Sequence, residues 1–339
     1  MKTIFSDRQF DHAPREEIHY GKRVPHAEEP ARARIILDFM AEVCPATDHG
    51  LEPILAVHDR DYVEFLRQAY QQWSDAGREG EAGAYTFPIV GRRPLDLVRV
   101  DALLGRYSFD VSTPIMAGTW AAAYASAQTA LTALESVVTE PSQVAFALCR
   151  PPGHHAGRDY LGGYCYLNNA AIAARAAQVR GLGPVAVLDI DYHHGNGTQD
   201  IFYEDGEILV VSVHADPKTD YPFYWGHADE TGSGAGIGAT RNFVLPRGTS
   251  LDEYQPVLRR ALDHIRDWGA RFLVLSFGAD IFVGDPISFF ELSRDDLGTV
   301  ARLVSGMGWP TLIVMEGGYA TAELGANVAT FIDQFDLGR

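Results

Sequence analysis

From residue 118 onward, short apolar runs alternate with longer amphipathic stretches, and this alternation constrains the fold more than any other feature. Val144–Leu148, Val185–Leu188, Ile208–Val213, Phe272–Ser276 and Thr311–Met315 are almost wholly apolar, so both faces of each must be covered. Between them, Thr119–Val138, Asn169–Val179, Leu251–Trp268, Arg294–Ser305 and the stretch from Ala322 onward carry helical spacing. Strands that are apolar on both faces, each followed by a helix, predict a mostly parallel sheet with helices on both sides, a three-layer αβα architecture. Neither a repeat nor a linker interrupts the pattern, which predicts a single domain over 1–339.

The first hundred residues are less regular. Ile4 and Phe5 begin a strand; Arg32–Val43 and Asp61–Trp73 have helical periodicity. Asp75–Pro94 holds Gly77, Gly80, Gly83, Pro88, Gly91 and Pro94 and reads as a long loop or insertion.

The predicted strands do not end at random. Pro151-Pro152-Gly153-His154-His155 follows the first, Asp189-Ile190-Asp191-Tyr192-His193-His194 the second, Gly278-Ala279-Asp280 the fourth and Glu316-Gly317-Gly318-Tyr319 the fifth. Ligands of open α/β sheets bind at the carboxyl ends of the strands, so parallel strands would bring all four clusters to one rim.

On an extended segment, residues two apart point the same way, so Asp191 and His193 can grip one ion, with Asp280 as a third ligand. Two carboxylates and an imidazole suit Zn²⁺ or Fe²⁺ with positions left open for water and substrate. Adjacent imidazoles at His154 and His155 suit a division between general base and general acid, since an unperturbed imidazole titrates near neutrality. Tyr319 follows two glycines that allow the backbone close to a ligand, and its phenol can donate to an oxyanion.

Net charge separates the remaining classes. The chain carries −17 at pH 7, which disfavours nucleic acid and anionic membrane and favours a cationic small molecule. Its basic residues form no stripe. No apolar run approaches the roughly 18 residues that span a bilayer. The three cysteines, Cys44, Cys149 and Cys165, form no CxxC pair, which predicts neither disulfides nor a thiolate metal site and fits the cytoplasm. Neither a P-loop nor a G-x-S-x-G elbow is present, and Gly232–Gly238 reads as a flexible loop and not a dinucleotide site.

The motifs Arg150–Ala156, Gly162–Asn169, Asp189–Gln199 and Glu316–Tyr319 together resemble the histone deacetylase superfamily over roughly residues 20–335. Asp285–Phe290 and an insertion around 75–115 are similar to its bacterial acetylpolyamine amidohydrolase branch. The resemblance implies the arginase-deacetylase fold, with about eight strands, and one Zn²⁺ (or Fe²⁺) per subunit on Asp191, His193 and Asp280. It implies His155 as general base, His154 as its electrostatic or acid partner oriented by Asp189, Asn196 as a neutral partner of His155, and Tyr319 as oxyanion donor. It further implies a structural K⁺ or Na⁺ near Asp189, Asp191, His193, Ser212 and Val213, and a second near Phe202, Asp205, Ile208 and Arg241.

By the same resemblance Gly163, Tyr164, Tyr221 and Ile287 wall the substrate tunnel, and the insertion forms a homodimer. Relatives place acidic residues in the insertion to meet a distal ammonium; the matching positions here hold Asp101 and Ser112. The implied substrate is a cationic acetylated small amine. Three other activities fit less well: acetyl-lysine deacetylation of protein or peptide, non-catalytic sensing of an acetylated amine, and an arginase-like binuclear hydrolase.

Overall fold

The computed structural model describes residues 1–19, 21–89, 96–140 and 143–338. Ten strands are present among them: β1 (Lys2–Phe5), β2 (Glu16–His19), β3 (Lys22–Pro25), β4 (Val43–Pro45), β5 (Val144–Ala147), β6 (Val185–Asp189), β7 (Ile208–Ala215), β8 (Thr240–Leu245), β9 (Phe272–Phe277) and β10 (Thr311–Met315). Eight form one sheet in the order β4-β1-β5-β10-β9-β6-β7-β8, and every pairing in it is parallel. β2 and β3 form a separate antiparallel hairpin.

Successive side chains of the central strands enter two cores. Ala145, Ala147, Val185, Val187, Val274, Leu312 and Val314 pack with the helices Thr119–Thr139 and Asn169–Val179. Their neighbours Val144, Phe146, Ala186, Leu188, Leu273, Leu275, Ile313 and Met315 pack with Leu251–Trp268, Arg294–Ser305 and Thr321–Leu337. That is the period-two alternation of a sheet buried on both faces. Helix starts are fixed by side chains: the Asn168 carboxamide accepts the Ala171 N–H, and Ser250 with Glu253 and Ser293 with Asp296 close capping boxes.

The N-terminal third departs from the periodicity. The helix expected over Arg32–Val43 covers Ala31–Leu37. Phe39 and Met40 then donate to carbonyls three residues back, a tightening turn, and the chain enters β4 at the sheet edge, where Pro45 is tolerated because it owes no ladder bond on the open side. The apolar spacing of Phe39 and Met40 misleads because Phe39 is 53% exposed. The β2–β3 hairpin and β8 were not anticipated, since charged and polar residues interrupt both. The preceding helix runs to Asp75, where the stretch read as a loop or insertion begins; within that stretch Ala82 bridges Ile115, and beyond it a short helix spans Val100–Arg106, while positions 90–95 lie outside the described residues.

Candidate active site

The four strands whose ends bear the polar clusters, β5, β10, β9 and β6, are consecutive in the middle of the sheet. One rim therefore receives all four clusters. Ligand atoms of Asp191, His193 and Asp280 lie within 4.8 Å of one another, and all three residues are buried. His193 Nδ1 is 3.1 Å from Asp280 Oδ2 and 3.3 Å from Asp191 Oδ1. The outer carboxylate oxygens are tied to backbone: Asp191 Oδ2 accepts the Gly317 N–H at 2.8 Å and Asp280 Oδ1 the Tyr192 N–H at 3.0 Å. The Ser288 hydroxyl donates to the Asp280 carbonyl.

Electrostatics supports a resident cation. Burial, and then the Asp191 charge, push the Asp280 carboxyl up to about 8. Burial opposes a charge on His193, yet hydrogen bonds to Asp191 and Asp280 outweigh it and raise the imidazole to about 10. A site this short of positive charge, with two carboxylate oxygens and a ring nitrogen converging, fits a divalent metal of the zinc or iron type.

The tandem histidines have different partners. His154 Nδ1 donates to Asp189 Oδ2 at 2.9 Å. Burial works against its charge, but Asp189 and Asp191 override burial and raise it to about 10. His155 Nδ1 lies 2.7 Å from the Asn196 amide oxygen, which only accepts, so Nδ1 carries the proton and Nε2 of the neutral ring is free. Burial, then the neighbouring His154 and His193, hold His155 well below the ordinary imidazole range.

A cavity of about 360 Å³ opens onto this rim and is walled by His155, His193, Tyr319, Gly163, Tyr164, Tyr221 and Ile287. The Tyr164 and Tyr319 rings meet edge to face at 5.6 Å, and Tyr221 stands edge-on to His155 at 5.1 Å. Gly163 has φ +56°, and a Cβ there would lie 2.2 Å from the His155 ring, so only glycine lets this wall approach the imidazole.

Ser112 also lines the cavity, but Asp101 does not. The Asp101 carboxylate is buried in ion pairs with Arg78 and with Arg99 (2.8 Å). Asp110 lines the cavity. Its oxygens accept the N–H of Gly163 (2.7 Å), the hydroxyl of Tyr221 (2.9 Å) and groups of Ser112 and Thr113. Asp220 and Arg247, paired at 2.9 Å, and Ile18, His19, Phe223 and Phe289 complete the mouth. Phe289 apart, no motif marks these residues; only the fold collects them.

Of the monovalent-cation sets, Asp189 and Ser212 are register partners on β6 and β7, with Asp191, His193 and Val213 alongside. Phe202, Asp205 and Ile208 share the turn into β7, where the Asp205 N–H donates to the Phe202 carbonyl, and Arg241 is on the adjoining β8.

A parallel eight-stranded sheet with an Asp-His-Asp cluster and a histidine pair at its carboxyl rim defines a metal-dependent hydrolase of the arginase-deacetylase fold. The chain belongs to the histone deacetylase family: the model of the histone deacetylase domain matches residues 26–335. It is 43% identical to acetylpolyamine amidohydrolase 2 of Pseudomonas aeruginosa over 99% of each chain, and 43% identical to acetylpolyamine amidohydrolase of Mycoplana ramosa over 98% of each. A crystal structure of acetylpolyamine aminohydrolase from Burkholderia pseudomallei superposes with a TM-score of 0.94 at 40% identity, covering 99% of this chain and 98% of that one.

Proposed function

We propose that this protein is a zinc-dependent deacetylase that hydrolyses the acetyl amide of acetylated polyamines, of the N-acetylputrescine, N-acetylspermidine and N-acetylcadaverine type, to acetate and free amine. The observation that carries this reading is the presence of His155, His193 and Tyr319 in the wall of one cavity, with Asp191 and Asp280 clustered on His193.

Zn²⁺ held by Asp191, His193 and Asp280 would supply Lewis acidity to the carbonyl and acidify a water. His155 Nε2 takes a proton from the attacking water as the new C–O bond forms. The Tyr319 hydroxyl donates to the oxyanion of the tetrahedral adduct. When the C–N bond breaks, imidazolium returns the proton to the leaving amine. His154, fixed by Asp189, keeps a charged ring beside His155, while Asn196 fixes the His155 tautomer.

The slim aromatic walls suit an unbranched alkyl amine. Asp110 and Asp220 outnumber the single Arg247 in fixed charge at the mouth, which favours a cationic tail. The reading extends to K⁺ or Na⁺ at the two sets described above, to a single catalytic domain in the cytoplasm, and to a homodimer through the 75–115 insertion, where Tyr85, Ile89 and Val98 are 69–88% exposed. Among the described residues no helix is long and apolar enough to cross a membrane.

Acetate release from N-acetylputrescine, N8-acetylspermidine and an acetyl-lysine peptide, with and without chelator, tests the assignment. Chelator-sensitive turnover favouring the small amines is expected. Preference for the peptide would replace it with lysine deacetylation, and a monomer at working concentration would remove the dimer.

A further inference from the structure

The segment Asp285–Phe290 lends Ile287 and Phe289 to the cavity wall, and its first residue reaches the loop that carries Tyr319. Asp285 is buried, 7% exposed, and its two oxygens are used separately. Oδ2 accepts the Tyr319 backbone N–H at 2.6 Å and Oδ1 accepts the Ile287 N–H at 3.1 Å. The other end of the same peptide unit is also held: the Gly318 carbonyl accepts Arg32 Nε at 2.7 Å. Arg32 donates from Nη2 to the Glu316 carbonyl at 2.7 Å, is paired with Glu28 at 2.9 Å, and has its guanidinium carbon 4.7 Å from the Tyr319 ring centroid.

The peptide between Gly318 and Tyr319 therefore lies between a buried cation at its oxygen and a buried anion at its N–H. Both charges complement the peptide dipole, and charge-assisted bonds of this kind are short and directional. The clamp matters because Gly318 has φ +121°, where backbone without a side chain has no steric lock of its own. The plane of this peptide sets the Cα–Cβ direction of Tyr319, and so where its hydroxyl points.

We propose that Asp285 is a positioning residue that aims the Tyr319 hydroxyl at the reacting carbonyl by holding the Gly318–Tyr319 peptide against Arg32. The same carboxylate ties the Ile287 wall to the donor, so the wall and the oxyanion contact move as one piece. The inference rests on Tyr319 acting as the oxyanion donor.

The test is a double-mutant cycle on the zinc-loaded enzyme. Asp285→Asn keeps the shape but turns an NH₂ toward one of the two backbone N–H groups. It should lower kcat about 10–100-fold, the scale of a small misplacement of a reacting group, with KM within about threefold. Zinc per chain should not change. In a Tyr319→Phe background the same substitution should cost less than about threefold, because no hydroxyl remains to misplace.

Equal losses in both backgrounds, or full activity in D285N, would overturn the role of Asp285 while leaving Tyr319 as donor. Full activity in Y319F would overturn both. Thermal unfolding checks that D285N folds; if it does not, Asp285→Ser, which keeps one acceptor in less volume, goes through the same cycle with the same criteria.

Discussion

The rim at the strand ends and the mouth of the cavity are built in opposite ways. At the rim, Asp189, Asp191, Asp280 and Glu316 are at most 1% exposed, and each grows directly out of a buried central strand. At the mouth, Ile18, Phe223 and Phe289 are 45–48% exposed and come from a hairpin and two loops more than sixty residues apart. The rim is held by backbone N–H groups donating to carboxylates, as at Tyr192 to Asp280 and Gly317 to Asp191. At the mouth, side chains tie loop to loop, as Tyr221 does to Asp110. The proposed chemistry would thus rest on a buried floor, and the proposed choice of substrate on surface segments, where loops commonly vary.

If this contrast is sound, substitutions should lose less activity the farther they lie from the floor. Asp280→Ala should abolish zinc retention and lower kcat/KM by more than about 10³-fold, since the Lewis acid supplies several kcal/mol. Metal analysis of the purified variant reads this directly, and unchanged stoichiometry would remove Asp280 from the ligand set. Tyr319→Phe should cost about 10²–10³ in kcat, the usual loss for one oxyanion donor, with zinc content intact.

A subtler probe of the floor is its response to acid. His58 accepts the Asn168 N–H at 2.9 Å, and burial lowers its imidazole to about 4. Its folded pKa lies below the unfolded value, so the unfolded chain binds the proton first as pH falls. The stabilisation is complete above about 6.5 and is lost between about 6.5 and 4, up to about 3 kcal/mol. Denaturant titrations across that window should show His58→Gln with a flatter pH dependence than the wild type, and an identical slope would place the acid sensitivity elsewhere.

At the mouth, Asp110→Ala should raise KM about tenfold and leave kcat within a fewfold, because hydrogen bonds to a charged group are worth roughly 1.5–3 kcal/mol and here they brace Gly163 and Tyr221. A collapse of kcat instead would mean that wall and floor are not separable. The smallest effect is expected at Asp101→Asn, with kcat/KM within about twofold, since its carboxylate is paired with Arg78 and Arg99 and does not line the cavity. A tenfold loss there would return Asp101 to substrate binding, for instance across a subunit boundary.

The legibility of the molecule follows the same division. The strands at Thr311–Met315 and Val185–Asp189 were readable because burial on both faces leaves only apolar residues, and the clusters after them were readable because parallel strands must end on the same side. The helix boundary at Leu37 and the hairpin were not, since exposed segments carry no periodic constraint. Asp101 shows the limit most clearly: in sequence it is as acidic as Asp110, and only the placement of Arg78 and Arg99 decides that one is paired away from the cavity and the other faces it.

The sequence by itself determined the layered parallel sheet, the four polar clusters on one rim and the residue types able to hold a metal and move a proton. These depend on local periodicity and on chain direction. The tertiary structure alone decided which carboxylate enters the wall, which loops narrow the mouth, and that Asp285 and Arg32 grip opposite ends of one peptide beneath Tyr319. Those are contacts between residues up to 286 positions apart, fixed by packing and by the pairing of buried charges, and neither leaves a pattern along the chain.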